Sequence, residues 1–250
     1  MKIIKIPHIN ALGKTKGCEE APDIICQNLK LKNLSTEVKI NKNNLEESNH
    51  NIYAAAEKAF KTNERTIFLG GDHSISYATV KAFFESYRNA GLVVFDAHID
   101  CMHNFKPPTH EDWLRVLLEE KFVNSENVIL IGTRKIYKEE KDFLKKQRLK
   151  IVKPNKLSKH KLLEIFDFAK KHDSIYISID IDVLDPKVAN AVAYPVKNGV
   201  KLDKFMYLLN KITKLKNFKA LDLVEYIPKR DKNKITLKAI LKIVNTIKTT

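Results

Sequence analysis

The sequence contains few of the residues that mark several common classes of protein. Its 250 residues include three Cys, seven Gly and eight Pro. The cysteines, at positions 18, 26 and 101, are odd in number and lack the spacing of a zinc site, so they predict no closed set of disulfide bonds. Scarce Gly and Pro and the absence of low-complexity segments argue against disorder. We expect a globular protein with reduced thiols.

Long apolar runs are missing as well. No run reaches the ~18 residues that a membrane-spanning helix requires. The beginning of the sequence lacks the apolar core of a signal peptide. We therefore expect a cytoplasmic protein without a membrane span.

Arginine is scarce although the sequence is strongly basic. The formal net charge is +15, and only six of the 45 basic residues are Arg. The lysines are spread over nearly every helical pattern, and no basic cluster is interleaved with aromatic residues. Because Arg is the side chain that most often reads base edges, we expect no specific nucleic-acid partner. The lysines are best explained as a solvated surface.

Short apolar runs alternate with helical patterns along the sequence. The runs predict strands at 2–6, 37–40, 66–70, 91–96, 127–132, 149–152, 174–180 and 218–224. The helical patterns predict helices at 48–63, 75–88, 110–121, 138–147, 158–172, 201–214 and 234–248. Runs such as 92–95 are apolar on both faces, which is typical of parallel strands covered by helices on both sides. We predict a doubly wound α/β protein with a mostly parallel central sheet, in one domain over residues 1–250.

Three segments rich in Asp and His follow predicted strands. They are Gly70–His73, Asp96–Asp100 and Ser178–Asp182. In an extended segment alternate side chains share a face, so the Asp and His residues of the second segment point the same way. Functional sites of parallel sheets form beyond the carboxyl ends of the strands, where all three segments lie. We therefore expect the three segments to meet at one edge of the sheet.

Together these segments supply two imidazoles and four carboxylates. They belong to His73, Asp96, His98, Asp100, Asp180 and Asp182. Four carboxylates packed together without cations would repel one another, whereas two divalent cations would neutralise them. An oxygen-rich set with two imidazoles favours Mn²⁺ or a similar ion over a thiolate zinc site. Two such ions about 3.5–4 Å apart share and acidify a water, so the sequence predicts a two-metal hydrolase.

The order of the motifs is similar to that of a known family. Gly-Gly-Asp-His-Ser at 70–74 precedes Asp-Ala-His-x-Asp at 96–100 and Ser-x-Asp-x-Asp-x-x-Asp-Pro at 178–186. This combination resembles the ureohydrolases, which include arginase, agmatinase and formimidoylglutamase, over roughly residues 66–228. The resemblance implies a three-layer α/β/α fold and two Mn²⁺ per chain. It implies that one ion binds His73, Asp96, Asp100 and Asp180, and the other His98, Asp96, Asp180 and Asp182.

The reaction also needs groups that bind the guanidinium and protonate the leaving amine. His103 and His110 are candidate proton donors, and we prefer His110 because Thr109–Asp112 predicts a capping box at a helix start. The resemblance also places a proton-shuttling His here. Glu225, at the end of the last predicted strand, matches the family Glu that pairs with the substrate guanidinium. Asp100 can hold the attacking water by a hydrogen bond while it binds a cation.

The substrate is less clearly indicated. Met102 stands where arginases use Asn to bind the amino-acid head group. The acidic residue expected after Arg134 is replaced by residues 135–137, and a structural ion pair explains Arg134 as well as a site role does. The segment 192–199 also departs from the family pattern. We expect a small cationic guanidino or amidino substrate, agmatine before an unnamed compound and L-arginine, and a homo-oligomer by resemblance alone.

Two other functions remain open at this stage. A metal-dependent amide deacetylase has a related fold, although such enzymes use a single zinc site. A non-catalytic protein that keeps the metals for structure could bind polyanions through its lysines.

Overall fold

The computed structural model describes residues 1–10, 13–31 and 34–248. An eight-stranded sheet runs through these residues, and every neighbouring pair of strands is parallel. The strands are β1 (Lys2–Ile6), β2 (Ser35–Glu37), β3 (Thr66–Gly70), β4 (Ala90–Phe95), β5 (Val128–Ile131), β6 (Lys150–Val152), β7 (Ser174–Asp180) and β8 (Phe218–Val224). Across the sheet they follow the order β2-β1-β3-β8-β7-β4-β5-β6.

Helices cover both faces of this sheet. Within the described residues they are α1 (Ala21–Asn28), α2 (Leu45–Phe60), α3 (Ile75–Ser86), α4 (Trp113–Glu119), α5 (Lys138–Gln147), α6 (Lys159–Lys170), α7 (Leu202–Thr213) and α8 (Ile235–Lys248). Helices α1, α6, α7 and α8 share an apolar core with one face, and α2 to α5 share a second core with the other. The predicted three-layer α/β/α fold is confirmed. Across the residues that the structure describes, none of the helices combines the length and apolarity needed to span a bilayer.

The central strands are largely apolar because both of their faces are covered. In β3, Ile67 and Leu69 face the first core and Phe68 faces the second. In β4, Val93 faces the first core and Leu92 the second. Burying a large apolar side chain contributes about 1.5–3 kcal/mol, so both cores hold these strands in place. This explains the continuous apolar runs in the sequence.

Several elements differ from the sequence prediction, and helix α2 is Leu45–Phe60 rather than 48–63. Strand β2 is Ser35–Glu37 rather than 37–40, and it pairs with β1 alone at the edge of the sheet. A short, polar edge strand has too little apolar patterning to define its position. Helix α1 was not predicted, because its eight residues are too few to show a clear helical period.

The start of α4 also differs from the prediction. The helix begins at Trp113, so the predicted start near residue 110 was wrong. Thr109 N donates to Asp112 Oδ1 at 2.7 Å, and Glu111 N donates to Thr109 Oγ1 at 3.3 Å. These contacts close a turn ahead of the helix instead of capping it, and His110 lies in that turn.

Four central strands end at the place where the acidic segments lie. Strands β3, β8, β7 and β4 are successive neighbours in the sheet. Their register aligns the ends, since Asp180 pairs with Val224 and Phe95 pairs with Ile179. The three acidic segments and residue 225 therefore leave the sheet side by side.

Candidate metal centre

Two of the acidic segments form tight turns directly after β4 and β7. Asp96 Oδ1 accepts a hydrogen bond from His98 N at 2.7 Å, and Asp180 Oδ1 accepts one from Asp182 N at 2.8 Å. Asp182 Oδ1 in turn accepts a hydrogen bond from Ala97 N at 3.0 Å. The two turns are thus joined by a hydrogen bond. In each of the three Asp side chains Oδ1 accepts a backbone hydrogen bond, which leaves Oδ2 for another partner.

A first group of candidate ligands surrounds His73. The Nδ1 atom of His73 lies 2.8 Å from Asp100 Oδ2, 3.1 Å from Asp96 Oδ2 and 3.7 Å from Asp180 Oδ2. This nitrogen is buried and has no hydrogen-bond partner among the described residues. Three carboxylates therefore converge on one unpartnered nitrogen, which is an arrangement that suits a cation.

A second group lies around His98. Its Nδ1 atom is 2.9 Å from Asp182 Oδ2 and 3.6 Å from Asp96 Oδ1. Asp96 is shared by the two groups, and both groups are compact enough to hold an ion. The structure thus brings together all six side chains that the sequence singled out, with Asp180 Oδ2 3.7 Å from His73 Nδ1.

Burial makes this cluster unfavourable without a cation. Burial and the charge of Asp96 raise the pKa of Asp100 to about 7. Burial and the charges of Asp182 and Asp96 raise the pKa of Asp180 well above its usual value. Burial lowers the pKa of His73, but the neighbouring Asp100 and Asp96 carboxylates raise it well above its ordinary value. Divalent cations would relieve this crowding, so the donor set fits the implied metal pair.

Two site residues have left-handed backbone conformations. Asp100 has φ of 55° and Glu225 has φ of 69°. Each is held by a specific contact: Trp113 Nε1 donates to Asp100 Oδ2 at 2.8 Å, and Glu225 N donates to Gly71 O at 2.9 Å. Such conformations are uncommon for residues other than Gly and concentrate at functional sites.

His110 and Glu225 form a buried pair beside the two groups. His110 Nδ1 lies 3.4 Å from Glu225 Oε1, which also accepts a hydrogen bond from His73 N at 2.9 Å. Burial lowers the pKa of His110, but Glu225 outweighs it and raises the pKa to about 9. The Nε2 atom of His110 is buried, lies 3.7 Å from Glu111 Oε1 and has no hydrogen-bond partner among the described residues. It therefore has a proton position available for another molecule.

A cleft opens over the two groups. The predicted catalytic residues His110, Asp100 and Glu225 all line it. His103, the alternative proton donor, is exposed and lies outside this lining. The geometry thus favours His110 over His103.

The cleft also contains residues that the sequence did not reveal. The Tyr194 ring stacks on His110 with centroids 5.8 Å apart and meets the ring of His98 edge-on at 6.2 Å. Glu140 is buried in the lining, where it accepts hydrogen bonds from the backbone N–H groups of Cys101 and Tyr137. The atypical segment 192–199 was the signal for Tyr194. Glu140 lies three residues after the segment 135–137, which is where the sequence lacks the acidic residue of the arginase pattern.

Arg134 has neither of its two predicted roles. Within the described residues it forms no ion pair, and it does not line the cleft. Its guanidinium donates to carbonyl oxygens on three loops, those of Gly132, Asp182, Val183, Leu184, Val196 and Lys197. Arg134 therefore holds the backbone of the Asp182 turn through these hydrogen bonds without lining the cleft.

Replacing Arg134 with Lys should reduce the free energy of unfolding by about 2–4 kcal/mol, since hydrogen bonds from charged donors contribute about 1.5–3 kcal/mol each and Lys lacks the planar fork. Urea denaturation measures this loss. The matched control is Arg148→Lys at an exposed position, where we expect a change within about 0.5 kcal/mol. Equal stabilities of the two variants would contradict the role of Arg134.

Comparisons with known proteins agree with this geometry. The family model described as "Arginase family" matches residues 2–248. The arginase of Staphylococcus aureus (strain COL) is 26% identical over an alignment of 265 residues, which covers 97% of this chain and 81% of that protein.

Solved structures show the same fold. The formimidoylglutamase of Bacillus subtilis subsp. subtilis str. 168 has a TM-score of 0.88 and 23% identity, with 98% of this chain and 85% of that chain covered. The agmatine ureohydrolase of Thermoplasma volcanium has a TM-score of 0.85 and 21% identity, with coverage of 98% and 87%. These similarities establish the architecture and leave the substrate open. With the family model matching nearly the whole sequence, the chain belongs to the arginase family, the ureohydrolases that its motifs resemble.

Proposed function

We propose that this protein is a manganese-dependent ureohydrolase that cleaves a C–N bond of a small cationic guanidino compound, with agmatine as the leading substrate. The observation that carries the proposal is the pair of buried groups that share Asp96 beneath the cleft. Two groups, rather than one, disfavour a deacetylase with a single zinc site. Membership of the arginase family supports the hydrolysis of a linear guanidino C–N bond.

The donor atoms define which ion the site would hold. One cation would bind His73, Asp96, Asp100 and Asp180, and the other His98, Asp96, Asp180 and Asp182. Carboxylate oxygens and imidazole nitrogens suit Mn²⁺. The adjacent thiol of Cys101 is directed at Ile99 O, 3.5 Å from its Sγ, rather than at the cluster. When bound, such a metal pair supplies the Lewis acidity that generates a nucleophile from water near neutral pH.

The side chains of the cleft do the remaining work. Glu225 pairs with the substrate guanidinium through charge-assisted hydrogen bonds. Asp100 accepts a hydrogen bond from the attacking water. The oxygen of the water bonds to the guanidinium carbon. As the C–N bond then breaks, its electron pair stays on the amine nitrogen, which takes a proton from His110 Nε2, and a proton released by the water restores His110. The products are urea and a free amine.

The rim of the cleft favours a substrate whose far end is a cation. Met102, Tyr137 and Tyr194 offer apolar and aromatic surface to a methylene chain, and Glu111 adds a negative charge. Aromatic faces and a carboxylate both attract an ammonium group. Agmatine has this combination, with a guanidinium at one end and a primary ammonium at the other.

L-Arginine is the second candidate, and one contact favours it. Lys14 Nζ lies 3.5 Å from Oε1 of Glu111, a residue of the cleft lining, where it could meet an α-carboxylate. The curated relative from S. aureus is itself named an arginase.

Urea release from Mn²⁺-loaded protein, measured on agmatine, L-arginine and other guanidino compounds, tests the proposal. We expect turnover with about two metal ions per chain, and a higher kcat/KM for agmatine than for L-arginine. Preferential turnover of L-arginine would transfer the assignment to the second candidate. Two bound metals without urea from any compound would refute ureohydrolysis of this substrate class.

The variant Glu111→Gln sharpens the choice between the two substrates. An exposed ion pair contributes up to about 1 kcal/mol, so the ratio of kcat/KM for agmatine to kcat/KM for L-arginine should fall by up to about fivefold. The ratio is compared because Glu111 Oε1 also lies 3.7 Å from His110 Nε2, and an effect through His110 is common to both substrates. Glu126→Gln is the control. Glu126 is exposed and lies just before β5, at the end of that strand opposite to the cleft, so its replacement should change kcat/KM for neither substrate.

A further inference from the structure

A buried chain of hydrogen bonds leads from His73 into the interior of the sheet. The Nε2 atom of His73, on the opposite side of the ring from Nδ1, lies 2.8 Å from Ser178 Oγ. Ser178 Oγ donates to Asp222 Oδ1 at 2.7 Å. Ser178 and Asp222 are both fully buried, on the neighbouring strands β7 and β8. The candidate ligand His73 is therefore linked to a carboxylate that touches neither the cleft nor the other five candidate ligands.

Asp222 is firmly held at the far end of this chain. Its second oxygen, Oδ2, accepts hydrogen bonds from Ser76 Oγ and Tyr176 Oη, each at 2.8 Å. Three hydroxyl groups thus surround one carboxylate, which compensates for its complete removal from water. Among the described residues, Asp222 contacts no Lys or Arg in an ion pair. Such a group is costly to bury and fits a purpose other than stability.

The chemistry of these groups fixes the direction of each hydrogen bond. An ionised carboxylate only accepts, so the single hydroxyl proton of Ser178 points to Asp222. Ser178 Oγ then accepts from His73, which requires the proton of His73 to be on Nε2. In the neutral ring this leaves the lone pair on Nδ1, the atom that faces Asp96 and Asp100.

We propose that Asp222, acting through Ser178, is a positioning residue that fixes the tautomer and orientation of His73 so that Nδ1 is presented to a cation. The inference rests on the proposed metal centre and extends it to residues that touch neither metal nor substrate. Partners of this kind typically change metal affinity by 10- to 100-fold when removed.

The second candidate ligand, His98, has no equivalent support. Its Nδ1 faces Asp182 and Asp96, and its Nε2 has no protein hydrogen-bond partner among the described residues. Its side chain is 15% exposed, whereas that of His73 is 1% exposed. The His73–Ser178–Asp222 chain of hydrogen bonds, called the relay below, therefore supports one of the two metal positions. Its loss should weaken metal binding at that position alone.

Calorimetric titration of the metal-free protein with Mn²⁺ tests the relay through Ser178→Ala and Ser76→Ala. Both variants remove one buried hydroxyl that donates to Asp222, but of these two hydroxyls only that of Ser178 contacts the His73 ring. We expect Ser178→Ala to weaken one of two Mn²⁺ positions by about 10- to 100-fold, and Ser76→Ala to leave both within about threefold. Asp222→Asn should resemble Ser178→Ala.

A spectroscopic readout separates positioning from a general loss of structure. In protein loaded with diamagnetic Zn²⁺ as a stand-in, the ¹⁵N shifts of His73 should show a protonated Nε2, and this proton should exchange faster with water in Ser178→Ala. If Ser178→Ala and Ser76→Ala both bind two Mn²⁺ with the affinities of the unsubstituted protein, the role of the relay is overturned and the metal centre stands. No Mn²⁺ binding by the unsubstituted protein would overturn the metal centre and the relay together.

Discussion

Replacing Asp96 with Asn should abolish binding of both metal ions and reduce urea release by about 10²–10³-fold or more, since the loss of one preorganised electrostatic group from a catalytic site typically costs about 10²–10³-fold. Among the described residues, Asp96 is the carboxylate that lies beside both candidate His ligands, with Oδ2 3.1 Å from His73 Nδ1 and Oδ1 3.6 Å from His98 Nδ1. An amide has nearly the same shape but carries no charge and offers one acceptor oxygen instead of two. Both metal positions therefore lose a ligand in a single substitution.

Metal counting by elemental analysis, together with urea release on the same sample, measures this effect. Asp142→Asn is the matched control, because Asp142 lies on α5 with a side chain that is 87% exposed. The control should retain two ions and full activity. Circular dichroism establishes that both variants are folded. An Asp96→Asn protein that keeps two ions and most of its activity would refute the shared-ligand arrangement.

Replacing His110 with Ala should lower kcat by about 10²–10⁴-fold, the contribution of a positioned proton donor, without changing the metal content. His110 lies in the cleft next to Glu225 but belongs to neither metal group. The retained metal separates this variant from Asp96→Asn. Added imidazole should restore part of the rate by supplying the missing proton.

The pH dependence of the His110 effect has a definite sign. Burial lowers the pKa of His110, yet Glu225 raises it to about 9. His110 therefore carries its proton below about pH 9 and loses it above. The difference in kcat between the unsubstituted protein and His110→Ala should be largest below pH 9 and should narrow at higher pH. His103→Ala, at an exposed position seven residues earlier, is the control and should behave like the unsubstituted protein.

The sequence predicts the middle of the sheet well because burial on both faces leaves a strong signal there. Strands β3 and β4 are almost continuously apolar and β7 and β8 largely so, and the charged residues that follow three of these strands stand out. The positions of all six candidate ligands followed from this contrast. The edge strand β2 and the short helix α1 carry weaker patterns, so the first was misplaced and the second was missed.

Contacts between distant segments could not be read from the sequence. Asp222 is a lone carboxylate within an apolar strand, and its partners Ser76, Tyr176 and Ser178 come from α3 and β7. Nothing local in the sequence distinguishes it from a tolerated polar residue. Arg134 likewise binds carbonyl oxygens, and backbone groups have no sequence signature. Sequence reasoning therefore misses the roles of side chains whose hydrogen-bond partners are distant in sequence and become neighbours only in the folded protein.

The position of β8 has a consequence for the order in which the molecule is assembled. This strand lies between β3 and β7. The segments that follow β3 and β7, which carry His73 and Asp180, are therefore not held side by side until β8 has joined the sheet. Its pairing with β3 joins Thr66 to Ala220, and contacts so distant along the chain are typically made late in folding. The complete metal centre can therefore exist only near the end of folding. Bound cations should consequently slow unfolding much more than they accelerate folding.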